Sequence, residues 1–276
     1  MTAPFRGQIV YTPSGKAREY AELACNLRRG CSHGCLYCYV PQILHMTRED
    51  FHAAHQPKTM ALRKLELDCA ELQTLYGAAC PPIHFEFTAD PYPHNGVAED
   101  WKLTRDALQI VKAHGLNFTI LTKGGLTAAQ DLDLYGPGDR FGQTVIFNYE
   151  QARAQYEPGA ARIDSRDEAA NWAFTAGIYT WISLEPVVDH EQALGVIRRF
   201  QRWGCAFKIG PLNHMTLPGL PLVDPLAFVG EAVPLLQETG CRWMLKQGAF
   251  REAAAELNLP WWGPQSDEEW RKEIGA

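Results

Sequence analysis

The chain has no apolar run long enough to cross a bilayer, and its first residues, Met1-Thr2-Ala3-Pro4-Phe5-Arg6-Gly7, lack the apolar core of a signal peptide. Those absences set the expectation of a soluble, cytoplasmic protein without a membrane partner. Basic residues are also short: 26 Lys and Arg stand against 32 Asp and Glu, a net charge of −6. That balance supplies no broad attraction for a phosphate backbone, so nucleic acid is disfavoured as an obligatory partner, although a local basic groove would suffice for one. Internal repeats, low-complexity stretches and linker-like segments are missing, and with them any sign of a domain boundary. At 276 residues and 46% hydrophobic content, the expectation is one domain over 1–276 with a sizeable core.

Cysteine is present, but not as a disulfide framework. Cys25, Cys69, Cys80, Cys205 and Cys241 are scattered singly, which fits a reducing compartment and shows no second cluster with local ligand spacing. The remaining three, Cys31, Cys35 and Cys38, form a C-x-x-x-C-x-x-C run within Gly30-Cys31-Ser32-His33-Gly34-Cys35-Leu36-Tyr37-Cys38-Tyr39. Three thiolates so close together suit three corners of a cubane iron–sulfur cluster, whereas an electron-transfer cluster takes four. One iron would then lack a protein ligand, which is what a metal site keeps when it binds substrate or cofactor. Gly30 and Gly34 would let the loop wrap the inorganic sulfur, and Tyr37 would wall it. A zinc knuckle with His33 as fourth ligand is the alternative, although no second ligand pair follows at the usual distance. His45, His52, His55, His84, His94, His114 and His190 show no metal-ligand spacing beyond the chance His52 and His55 pair and read as surface or turn residues.

From residue 80 onward a β-rich run, a Gly/Pro or polar turn and a helical stretch alternate, which argues for βαβ units around a parallel sheet. Strand candidates are Glu22–Arg28, Ile83–Thr88, Phe118–Thr122, Thr144–Asn148, Tyr179–Leu184, Ala206–Gly210 and Arg242–Leu245. Helical spacing covers Lys58–Tyr76, Glu99–His114, Thr127–Leu134, Arg166–Ala176, His190–Trp203 and Pro225–Glu238. Six to seven parallel strands imply an α/β fold, a partial TIM-like (β/α) barrel, with residues 1–20 as an N-terminal extension and 259–276 as a C-terminal cap.

Barrel enzymes keep their chemistry at the C-terminal strand ends. There lie the cysteine run, Thr88-Ala89-Asp90-Pro91-Tyr92, Thr122-Lys123, Asn148 and Glu185-Pro186. Asp90 has a plainer use as the cap of its own turn. Glu185, Lys208 and Lys246 sit in or beside apolar strand candidates, where a charge is costly unless paired or used. A Glu185–Lys208 salt bridge is one reading; a polar substrate pocket with Asn213 and His214 is the other.

The C-x-x-x-C-x-aromatic-C loop after a first strand resembles the radical S-adenosylmethionine enzymes. The wider context, Gly15-Lys16-Ala17-Arg18-Glu19-Tyr20, Asn26 and the cysteine run, is similar to the branch that contains spore photoproduct lyase, as are Thr88-Ala89-Asp90-Pro91-Tyr92, with Ala89 extra, and Thr122-Lys123. The resemblance covers about Gly15 to Asn213. It implies a [4Fe–4S] cluster on Cys31, Cys35 and Cys38, with S-adenosylmethionine chelated by the open iron. Reductive cleavage of that cofactor would release a 5′-deoxyadenosyl radical that takes hydrogen from an organic substrate, the electron coming from a donor such as flavodoxin or ferredoxin. Tyr37, Thr88, Asp90, Lys123 and Asn148 are the implied cofactor contacts. A small molecule or peptide is the expected substrate. A photoproduct-type DNA repair reaction is the alternative within the class, and a non-catalytic metal-binding barrel the alternative outside it. Against repair, the Thr88–His94 stretch carries no cysteine where the lyase has its hydrogen donor.

Overall fold

The computed structural model describes residues 4–53, 56–93, 101–212, 217 and 219–274. Its main sheet runs through nine strands: β1 (Val10–Tyr11), β2 (Leu23–Cys25), β3 (Ile83–Phe85), β4 (Phe118–Thr122), β5 (Arg140–Thr144), β6 (Tyr179–Val187), β7 (Ala206–Pro211), β8 (Trp243–Leu245) and β9 (Trp262–Gly263). From β2 to β8 neighbours follow chain order and pair in parallel, while β1 and β9 add antiparallel edges. Seven parallel strands with crossover helices are the expected partial TIM-like barrel. The longer helices are α1 (Ala61–Tyr76), α2 (Lys102–Ala113), α3 (Ile163–Thr175), α4 (His190–Phe200), α5 (Pro225–Thr239), α6 (Ala249–Glu256) and α7 (Glu268–Ile274). None among the described residues is long and apolar enough to cross a membrane.

Side chains alternate along each strand, so one set meets the helices and the other the barrel interior. The helix-facing set is mainly apolar, with Thr122, Gln143 and Thr180 among it by register. Leu23, Ile83, Phe85, Phe118, Ile120 and Phe141 join one buried cluster with residues of α1 and α2, and Ile182, Leu184, Phe207, Ile209, Trp243 and Leu245 join a second with residues of α4 and α5. At about 25 cal/mol per Å² these two clusters supply the drive that holds helices on sheet. The other set is polar: His84, Thr119, Arg140, Ser183, Glu185 and Lys208 lie on it by register, with Lys246 just beyond β8.

Three expectations need correction. The fourth parallel strand is Arg140–Thr144, not Thr144–Asn148: the apolar run Val145-Ile146-Phe147 lies beyond it and is buried in the second cluster. Thr127–Leu134 is not one helix but a short turn of helix, Leu126–Ala129, followed by a 3₁₀ turn, Leu132–Leu134. His84 is not at the surface, being 1% exposed inside the barrel. In the tail, β9 pairs with β8, and the buried Trp270 donates its indole N–H to the Trp243 carbonyl at 3.2 Å.

Candidate active site

The cysteine run leaves the C-terminal end of β2 as a loop pinned on both sides. Gly30 and Gly34 adopt φ of +80° and +63°, the left-handed region that a side chain disfavours. On one flank Phe51 accepts from the Cys31 N–H at 3.2 Å, His52 Nδ1 lies 2.8 Å from the Cys31 carbonyl, and the Arg48 guanidinium donates to the carbonyls of Cys35 (2.5 Å) and Cys38 (2.8 Å). On the other, Leu36 N–H donates to Tyr156 O and Gly159 N–H to His33 O, at 2.9 and 2.8 Å. A Cβ on Gly159 would stand 2.5 Å from the Ser32 carbonyl oxygen, so no larger residue fits there without moving the loop. Contacts to its backbone therefore hold the loop.

All three thiols are free, Cys35 buried and Cys31 and Cys38 half-buried. Burial pushes each thiol up, Cys35 to about 12, with Lys123 opposing at Cys35 and Cys38. Unliganded, they are neutral; a bound cation would drive off the protons. Among the described residues no three His, Cys, Asp or Glu side chains converge enough to hold a single metal ion. The zinc arrangement with His33 is not formed. His33 Nδ1 lies instead 3.4 Å from Asp90 Oδ2, and burial holds its imidazole down at about 4. The thiolates of a cubane bind separate irons and need not converge on one point, so this loop is compatible with one.

Asp90 is a hub. Its carboxylate accepts from the N–H groups of Tyr92 (2.9 Å) and Lys123 (2.8 Å) and from the Thr122 hydroxyl. It thereby ties the turn after β3 to the end of β4 and sets where Lys123 leaves the sheet. Lys123 Nζ stands 5.6 Å from the centre of the Tyr37 ring, between the second and third cysteines. Thr88 is half-buried, its N–H donating to Asn26 Oδ1 at 3.2 Å. Tyr92 points away into the core, donating to Asp131 Oδ2 at 2.7 Å. Asn148 packs its amide against Gly195 of α4, so the helix layer holds it rather than the Asp90 turn.

Behind the loop lies a buried brace that the sequence did not reveal. The Tyr37 hydroxyl donates to Glu157, whose other oxygen meets Arg166 Nη2 at 2.7 Å, and Arg166 also donates to the carbonyls of Thr144 and Ala161, both at 2.9 Å. Arg166 and Glu157 are fully buried. Their local sequence looks like an ordinary charged turn and helix start, and no spacing links positions 37, 157 and 166.

The second polar group departs from its expected pairing. Glu185 does not bridge to Lys208; it takes the Lys246 ammonium at 3.0 Å and the Tyr20 hydroxyl. Lys208 faces Glu273 of α7 at 3.7 Å instead, because the cap reaches up into the barrel. Asn213 and His214 lie outside the described residues.

No family model matches the chain, and no curated protein does. Solved structures do, and the fold is that of the radical S-adenosylmethionine enzymes. Spore photoproduct lyase complexed with dinucleoside spore photoproduct superposes with a TM-score of 0.59 at 16% identity, over 89% of this chain and 76% of the lyase. A radical SAM methyltransferase from Sphaerobacter thermophilus gives 0.58 at 13%, over 84% and 68%. SuiB from Streptococcus suis, bound to its precursor peptide SuiA, gives 0.61 at 11% and is matched over only 50% of its length, against 85% of this chain. At such identities the likeness is one of fold.

Proposed function

We propose that the chain is a radical S-adenosylmethionine enzyme. The observation that carries this reading is the placement of three free thiols, Cys31, Cys35 and Cys38, on one pinned loop at the C-terminal end of the first parallel strand of that fold. Those residues would hold a [4Fe–4S] cluster and leave one iron for S-adenosylmethionine. Cluster and cofactor would together supply one-electron cleavage of a carbon–sulfur bond and a 5′-deoxyadenosyl radical, the hard chemistry that the protein only positions.

The chain's own residues bind and orient. Arg48 and His52 fix the loop carbonyls, and the Tyr37–Glu157–Arg166 brace fixes the wall behind Cys35. Lys123, 5.6 Å from the Tyr37 ring centre, would meet the cofactor's carboxylate, and Thr88 lies on the neighbouring turn. Asp90 acts as a positioning residue through Lys123 and Thr122.

The substrate is read as a small molecule or peptide in preference to nucleic acid. The acidic balance and the absence of cysteine from Thr88–His94 weigh against a repair reaction like that of the lyase. The electron would come from a small redox protein such as flavodoxin or ferredoxin in the cytoplasm. Anaerobic reconstitution tests the reading: the expected result is about four irons per chain and dithionite-dependent release of 5′-deoxyadenosine. Stoichiometric zinc without cofactor cleavage would overturn it in favour of a non-catalytic metal-binding barrel.

A further inference from the structure

The barrel exposes apolar side chains at one end. Leu36, Tyr39, Ile43, Tyr149, Leu222 and Leu226 are all exposed, and all lie in the loops or first helical turns that follow β2, β5 and β7. Loops at C-terminal strand ends frame the mouth of a barrel, so this apolar exposure sits at the end that carries the cysteine loop. Outside that end, the exposed large apolar side chains are confined to α1, α3 and the end of α6. Apolar surface gathered in one place marks a site of interaction.

A cavity of about 100 Å³ opens within this rim, between the ends of β6 and β7, the loop that follows β7 and the first turn of α6. Every described residue that lines it is apolar, from Val187 and Val188 to Ala249 and Phe250, and Leu222, 75% exposed, brings it to the surface. Small-molecule sites start at about 300 Å³, so this one does not enclose a whole ligand. It is also smaller than the cavity of about 150 Å³ that holds benzene, which leaves a branched aliphatic side chain as the occupant that fits. A polypeptide supplies such a side chain, and the exposed residues around the cavity offer its neighbours a surface.

The charges around the cavity give the rest of the partner's chemistry. Within two positions of the lining residues stand Glu185, Asp189, His190, Asp224, Arg251 and Glu252. Glu185 is matched by Lys246 at 3.0 Å, and Arg251 is turned to Glu19 at 3.7 Å and to the face of Trp261. His190 Nε2 lies 3.4 Å from a further carboxylate, the exposed Glu231. Asp224 and Glu252 are exposed and Asp189 is half-buried. Asp189 and Asp224 cap α4 and α5 through the N–H groups of Gln192 and Leu226, both at 2.9 Å, a use that brings neither of them a cation. The fringe is therefore acidic. It complements a partner with Lys or Arg beside its apolar side chain, and it repels a phosphate backbone or an anionic membrane surface.

We infer that the barrel rim binds a cationic polypeptide segment, seating one branched aliphatic side chain in the cavity lined by Val187, Val188, Leu222 and Ala249, with flanking Lys or Arg against Asp189, Asp224 and Glu252. Calling that segment the substrate rests on the proposed radical chemistry; its binding does not.

Fluorescence anisotropy of the full chain with the labelled peptide Gly-Lys-Lys-Leu-Lys-Lys-Gly tests this, against one peptide with alanine in place of leucine and one with glutamate in place of each lysine. The leucine peptide is expected to bind saturably, the alanine peptide at least tenfold more weakly and the glutamate peptide not at all. Ala249→Leu, which fills the cavity, is expected to bring the leucine peptide down to the level of the alanine peptide. Asp189→Asn, Asp224→Asn and Glu252→Gln combined keep both caps and are expected to weaken binding at least fivefold and to flatten its salt dependence. Both variants are verified as folded by thermal unfolding. Equal binding of the leucine and alanine peptides, no binding of either, equal binding of the glutamate peptide, or an affinity unchanged in either variant would overturn the site. Self-association of the chain that Ala249→Leu abolishes would overturn it in favour of a second copy. Cofactor cleavage by reconstituted protein that binds none of the peptides would sink this inference alone; binding of the leucine peptide without cleavage would sink only the radical reading.

Discussion

Replacing Arg166 with Met should cost about 4 kcal/mol of stability. Arg166 and Glu157 are both fully buried and 2.7 Å apart, and removing one member of such a pair leaves the other as an uncompensated charge, a change that costs about 3–5 kcal/mol. The carbonyls of Thr144 and Ala161 lose a donor as well, while the similar volume of Met limits any cavity. Burial pushes the Glu157 carboxyl up, yet Arg166 and Lys123 outweigh it and hold the group below the ordinary carboxylate range. Native Glu157 therefore stabilises the fold above its unfolded pKa, and that contribution is lost as pH falls through the folded value. In the variant the sign reverses: Glu157 is raised, and protonating it relieves the fold as pH falls. Urea unfolding of the cluster-free protein across pH is the assay, with the gap to the native chain expected to narrow in acid. Arg166→Met combined with Glu157→Gln should recover at least half of the loss. A single variant that loses less than about 1 kcal/mol, or a double variant whose losses simply add, would refute the brace as a coupled buried pair.

Three further outcomes are expected. Cys31→Ala, Cys35→Ala and Cys38→Ala should each abolish iron–sulfur absorbance and 5′-deoxyadenosine release, while Cys205→Ala, at a buried position outside the loop, should retain both in assays of reconstituted protein. Gly159→Ala should cost about 1–3 kcal/mol by overpacking, because its Cβ meets the backbone of Ser32 and His33, and should lower iron loading measured colorimetrically. Burial pushes the Lys208 ammonium down to about 8 from 10.5, so its penalty is full below pH 8 and is relieved as pH rises toward 10.5, where the folded chain has already lost the proton. That amounts to about 3 kcal/mol, and Lys208→Met should abolish this rise in stability between pH 8 and 10.5 in denaturant titrations.

Strands whose helix-facing residues form the apolar clusters were legible. Phe118–Thr122 was read with both ends correct, since the strand and its apolar run coincide. Arg140–Thr144 was misplaced because Arg140, Gly142, Gln143 and Thr144 give the strand itself little apolar signal, while Val145-Ile146-Phe147, just past it, is the more hydrophobic window. Polar residues on both faces are the physical cause: Arg140 and Thr144 are in register with the barrel-facing set and Gln143 with the helix-facing Ile182, so the strand loses the continuous hydrophobic run by which buried parallel strands are read.

The sequence by itself determined the cysteine loop and the order of the elements, because both are local: thiol spacing needs a few adjacent residues, and strand–helix alternation needs only periodicity. Tertiary structure alone decided which charges meet. Glu157 reaches Arg166 behind Tyr37, Glu185 takes Lys246 rather than Lys208, and Glu273 enters the barrel from the C-terminal helix. Those pairings join residues far apart in the chain, and a carboxylate's choice among several cations is settled by which one packing brings within about 3 Å, a distance that no spacing in the sequence encodes.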